Sequence, residues 1–152
     1  MRTRLRTTIF ALAVALAAAI PASFAFRKEL TLEQLKARVD SAKPDERASL
    51  CMQIAEREVE AADKFYTDGK LDEAQAAVHD VVAYSQKGAD AASQTGHKLK
   101  NTEIALRKMS HRLNDIKRTL AFENQATVQN AADTLEKIRT DVLNRMFGKN
   151  PK

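Results

Sequence analysis

From Asp45 to Tyr84, apolar and small residues recur at helical spacing on either side of one glycine turn. Leu50, Cys51, Ile54, Ala55, Ala61, Ala62, Phe65 and Tyr66 mark one helical face, while Glu56, Arg57, Glu60 and Lys64 fall mostly opposite. Asp45 and Glu46 follow Pro44 in the first turn, where negative charge suits the helix dipole. Gly69, within Asp68-Gly69-Lys70, closes this arm because glycine tolerates the left-handed cap conformation. Leu71, Ala74, Val78, Val81, Val82 and Ser85 form the stripe of the next arm. A connection this short predicts two antiparallel helices.

The flanking segments follow the same period. Thr31 reads as an N-cap, with Gln34 completing a capping box, and Leu32, Leu35 and Val39 give a short stripe that ends before Pro44. Between Ser85 and Gly96 the pattern weakens. The second arm either stops early or continues through Gly88, and Gly96 is the better break. From about His97 to Ala121, Leu99, Thr102, Leu106, Met109, Leu113, Ile116 and Leu120 form a heptad seam with one polar interruption, Thr102. Ile104 lies off that seam and offers a second packing face. Val128, Ala131, Leu135, Ile138 and Val142 start a new seam. The step from Leu120 to Val128 is eight residues instead of seven. That frame shift predicts a break near 122–127 and an antiparallel pair, with one long bent helix as the alternative.

The expectation is an all-α fold of helical hairpins packed as a small bundle, with a short leading helix and four longer ones. Few glycines and prolines and abundant alanine agree with it. With six phenylalanines, two tyrosines and no tryptophan, the core must be aliphatic and alanine-rich.

The N-terminus reads differently. Arg2, Arg4 and Arg6 precede an uncharged run from Thr7 to Phe26, with an apolar heart from Ile9 to Ile20 and small residues at Ser23 and Ala25. This is the pattern of a signal peptide over 1–25, cleaved before Phe26; an uncleaved anchor is the alternative. Cleavage there predicts a periplasmic or secreted mature chain. The expected organisation is then a leading segment over 26–44, a bundle over 45–148 and a tail over 149–152. Without the leader arginines the formal charge falls from +5 to +2. What remains is polarised, with residues 26–95 net −4 and residues 96–152 net +6.

Two resemblances bear on function. The hairpin over 58–86 resembles a single tetratricopeptide repeat through Ala62, Phe65, Gly69, Leu71, Ala74 and Val78, and departs from it at Glu58, Val81 and Gln86. The resemblance implies a protein-binding surface and no active site. Leu30-Thr31-Leu32-Glu33-Gln34 resembles the Leu-Thr-x-x-Gln motif of the Spy/CpxP family, here present once. That resemblance implies a small exported helical chaperone or stress sensor, although a capping box accounts for the same residues.

Candidate chemistry is sparse, and no cofactor, metal or catalytic group is expected. Cys51 is the sole cysteine, either a buried apolar residue or an exposed thiol open to an intermolecular bridge. His79, His97 and His111 lack the spacing of metal ligands, and Asp68 and Asp72 around Gly69 lack the pattern of a calcium loop. The unusual feature is residues 97–118, where Lys98, Lys100, Arg107, Lys108, Arg112, Lys117 and Arg118 meet only Glu103 and Asp115. Lys100, Arg107, His111 and Arg118 should point outward as the partner-binding set. A solvated face partly paired with the acidic hairpin, an acidic protein partner and an anionic membrane surface all fit it. Export and the lack of interleaved aromatics argue against nucleic acid. Self-association through the helix seams stays open. The function expected is that of an exported, non-enzymatic helical scaffold or adaptor, with a Spy/CpxP-like holdase and a membrane-surface protein as alternatives.

Overall fold

A computed structural model describes residues 30–148. The expected leader, its cleavage point and the tail lie outside the described residues. Those described form α1 (Leu32–Val39), α2 (Pro44–Thr67), α3 (Leu71–Thr95), α4 (Leu99–Thr119) and α5 (Gln125–Phe147), with no strand among them.

Local chemistry explains most boundaries. Thr31 caps α1: its hydroxyl accepts from the Gln34 backbone N–H at 3.3 Å, and the Gln34 side chain accepts from the Thr31 N–H at 2.9 Å. Pro44 opens α2 without sacrificing a hydrogen bond. Gly69 and Gly96 take positive φ, +73° and +72°, and so end α2 and α3. The frame shift after Leu120 becomes a single 3₁₀ turn, Phe122–Asn124, so α4 and α5 are separate helices. Gln125 donates from its side chain to the Leu120 carbonyl and ties that turn down.

The weakened pattern at 85–96 conceals a continuous helix. α3 runs straight through Gly88 because α2 passes close to it there. A Cβ on Gly88 would lie 2.5 Å from Met52 Cε, 2.9 Å from Cys51 Cβ and 3.3 Å from the Ala48 carbonyl oxygen. The glycine is a packing choice, and the helix tolerates its propensity cost of about 1 kcal/mol.

The helices form two stacked hairpins. α2 pairs with α3 and α4 pairs with α5, both antiparallel; across the stack α2 lies against α4 and α3 against α5. Like helices run parallel: residues 48–56 of α2 adjoin 101–105 of α4, and residues 86–94 of α3 adjoin 138–145 of α5. The central core is aliphatic and alanine-rich, with Ala55, Val59, Ala62, Val78 and Val81 meeting Leu106, Leu113, Ile116, Val128 and Leu135. Thr102 does not interrupt burial and is itself 1 % exposed. Ile104 is half-buried.

Each end of the stack is closed differently. α1 covers the first hairpin, burying Leu35, Val39 and Ala42 against Leu50, Cys51 and Ile54 of α2. Lys87 of α3 reaches Asp40 at 2.6 Å, and Arg57 donates to the Leu30 carbonyl. The outer groove of the second hairpin is polar instead. There Arg139 pairs with Glu103 at 2.7 Å and Glu136 at 3.0 Å, and Lys117 donates to Gln129. A helical stack of this kind needs a cap or a polar outer layer to remain in water, and it has one of each.

Two substitutions on one turn of α3 should act in opposite directions. The Ser85 hydroxyl is fully buried without a hydrogen-bond partner. Ser85→Ala should therefore stabilise the protein by about 1 kcal/mol. Gly88→Ala, despite its better helix propensity, should destabilise by about 1–2 kcal/mol because Cys51 and α2 must move. Urea midpoints of the two variants against wild type test both signs.

Candidate functional site

α4 carries the exposed charge of the molecule on one line. Lys100, Arg107, His111 and Arg118 are all exposed and recur at i, i+7, i+11 and i+18. The helical rise makes the ridge about 27 Å long. Its direction follows from packing. Thr102, Ala105 and Met109 turn toward the first hairpin, while Leu106, Ser110 and Leu113 turn toward the rest of the core. The ridge takes the remaining arc, away from both.

Pairing divides the basic residues of α4 into two sets. Arg112 bridges to Asp63 of α2 at 2.6 Å, Lys117 donates to Gln129, and Arg118 pairs with Asp115 one turn back. Among the described residues, the side chains of Lys100, Arg107, Lys108 and His111 have no hydrogen-bond or ion-pair partner. Glu103, one of the two acids expected to temper this face, turns inward and is 9 % exposed against Arg139. That guanidinium is held above its usual range by the hydrogen bonds to Glu103 and Glu136. The ridge is thus more cationic at the surface than the linear sequence suggests. Within residues 97–118, contact with the acidic hairpin is made by Arg112 to Asp63 and by His97 to Asp45, both outside the four-residue partner-binding set.

Other candidates resolve into structural roles. Cys51 is fully buried, and burial pushes its thiol up to about 11, so the packed apolar reading holds and the exposed thiol does not. His97 Nδ1 lies 3.0 Å from Asp45, and Thr95 donates to the same carboxylate at 2.5 Å. Thr95 first and His97 second hold Asp45 below the ordinary carboxylate range. His79 sits beside an open groove with Val78, Val82 and Ala131. Among the described residues no group of three or more His, Cys, Asp or Glu side chains is placed to hold a metal ion. No described helix is long and apolar enough to cross a membrane.

The sequence reading missed one buried charge cluster. Lys36 of α1 contacts Glu58 of α2 and Asp80 of α3, each at 2.6 Å, with its ammonium 5.5 Å from the centre of the Tyr84 ring. Glu58 is only 4 % exposed. Burial pushes its carboxyl above the ordinary value, with Lys36 pulling the other way. Burial also opposes the charge on Lys36, but the hydrogen bonds it donates to Asp80 and Glu58 outweigh it and raise the ammonium pKa. The only available signal was Glu58 occupying an apolar repeat position.

This cluster fastens α1 and should respond asymmetrically to mutation. Lys36→Met leaves Glu58 buried and uncompensated beside Asp80. The loss should be about 2 kcal/mol at neutral pH, less than for a fully enclosed pair because the Lys36 side chain is 31 % exposed. Glu58→Gln keeps the Lys36–Asp80 contact and should cost about 1 kcal/mol or less. In Lys36→Met the folded state holds the Glu58 proton more tightly than the unfolded state. Its deficit should therefore shrink as pH falls through the raised Glu58 pKa toward the ordinary carboxylate range. Urea titrations between neutral and mildly acidic pH measure all three effects.

Comparison with known proteins finds no matching family model, no similar curated protein and no similar solved structure.

Proposed function

We propose that this protein is an exported, non-enzymatic interaction module that docks an acidic protein partner on the α4 ridge. The observation that carries the proposal is the unpaired, outward-facing row of Lys100, Arg107 and His111, continued by Arg118. Proteins ordinarily intersperse such a face with acids, and α4 instead spends Glu103 on an inward pair. The stacked hairpins give the ridge a rigid base. Helix-pair stacks offer long surfaces of this kind to partners, in keeping with the tetratricopeptide-like hairpin.

The holdase reading has less support. It needs exposed apolar surface for unfolded clients. Among the described residues the exposed large hydrophobics are Leu71, Phe122 and Phe147, all at helix ends or in a turn, and Ile104 is half-buried. Thr31 and Gln34, the residues behind the Spy/CpxP resemblance, are engaged in a capping box.

Crosslinking in the native host tests the proposal. A stoichiometric protein should co-purify with wild type, and Arg107→Glu with Arg118→Glu should reduce its recovery at least about tenfold, since each reversal removes an attraction and adds a repulsion. Equal recovery with the double variant would remove the ridge from the account. A broad mixture of unrelated exported proteins would favour the holdase.

A further inference from the structure

We infer that the pole where α4 begins and α5 ends is a docking surface for an anionic lipid bilayer. Lys98, Leu99 and Lys100 from the start of α4 meet Arg145, Met146 and Phe147 from the end of α5 around a recess of about 540 Å³. Phe147 is 75 % exposed, whereas Val142, Leu143 and Met146 before it are buried or half-buried. Leu99 and Met146 beside it are half-buried and pack against the central core. The pole therefore presents one free aromatic ring on an apolar base, ringed by cations.

No acid lines this recess. The nearest on α2, Asp45, is occupied by Thr95 and His97. Asp141, one turn back along α5, borders the neighbouring α3–α5 groove, which Arg145 also touches. Among the described residues Lys98, Lys100 and Arg145 form no ion pair, although, after Thr95 and His97, the Lys98 charge also helps hold Asp45 below the ordinary carboxylate range. Each Lys or Arg held beside an anionic lipid surface contributes about 1 kcal/mol, and an apolar anchor adds to that. The ring enters the boundary between headgroups and acyl chains, and the cations stay with the headgroups. A folded protein partner would need a pocket shaped for Phe147, whereas a bilayer needs none.

The opposite pole supplies the competing occupant. Phe122 is 88 % exposed there, beside Glu123, so a second copy could meet Phe147 head to tail. The pole shares Lys100 with the outer ridge but is centred on Phe147, Lys98 and Arg145, and the proposal stands without the protein partner proposed above.

The chain contains no tryptophan, so Phe147→Trp in the full-length protein gives a single local reporter. Its emission should shift to the blue on phosphatidylcholine vesicles containing about one-third phosphatidylglycerol, and not on phosphatidylcholine alone. Adding Arg145→Glu should weaken the apparent affinity about tenfold or more, while Arg107→Glu with Arg118→Glu should leave it within about twofold. Helical circular dichroism should be unchanged throughout, because these side chains are exposed. No shift on anionic vesicles would overturn the proposal. An equal shift on neutral vesicles would assign the effect to apolar insertion alone and also overturn it. A concentration-dependent shift without vesicles would identify a second copy as the occupant instead. Loss of the shift in the Arg107 and Arg118 double variant would move binding to the ridge.

Discussion

Close approach of α2 and α3 is the constraint on which the rest of this protein depends. Ala55, Ala62, Ala74 and Ala77 keep their interface shallow, and Gly88 removes the last Cβ where Cys51 and Met52 press in. An alanine-rich interface buries little area per residue, so it must recover stability from packing density. It also leaves no space for a cavity between the two helices. The first hairpin thus becomes a thin slab with an apolar stripe on each side. One side accepts the second hairpin, and the other accepts α1.

That geometry explains where charge can go. Where α1 lies on the first hairpin, Lys36 reaches Glu58 of α2 and Asp80 of α3, one from each helix. Among the described residues no α1-like helix covers the outer side of the second hairpin. Its outer groove stays polar and uses Arg139 to neutralise Glu103 and Glu136. Drawing Glu103 inward leaves the outermost line of α4 almost wholly basic. The ridge is therefore a consequence of how the stack terminates as well as of composition.

A core of two hairpins, with α1 at one end and a polar groove at the other, places function on the outside. The thiol is sealed, the described carboxylates cap helices, pair with cations or face water, and the exposed aromatics sit at the poles. The α4 ridge and the Phe147 pole adjoin at Lys100, which belongs to both.

The sequence by itself determined the helices, since period, caps and glycine turns are local physics. Gly69 and Gly96 must adopt the left-handed conformation wherever the chain goes, and Thr31 caps with Gln34 from three residues away. The outward direction of Lys100, Arg107, His111 and Arg118 was equally legible, because a heptad seam defines its own opposite face. Only the tertiary structure decided that Gly88 continues a helix and that Thr102 is buried. It also decided that Glu58 and Glu103 are interior and that Phe147 joins Lys98, Lys100 and Arg145 at one pole. Each of those outcomes depends on what another helix brings: Cys51 and Met52 against Gly88, Lys36 to Glu58, Arg139 to Glu103. A charge enters the interior only if its partner arrives from elsewhere in the chain, and sequence spacing along one helix does not encode that meeting.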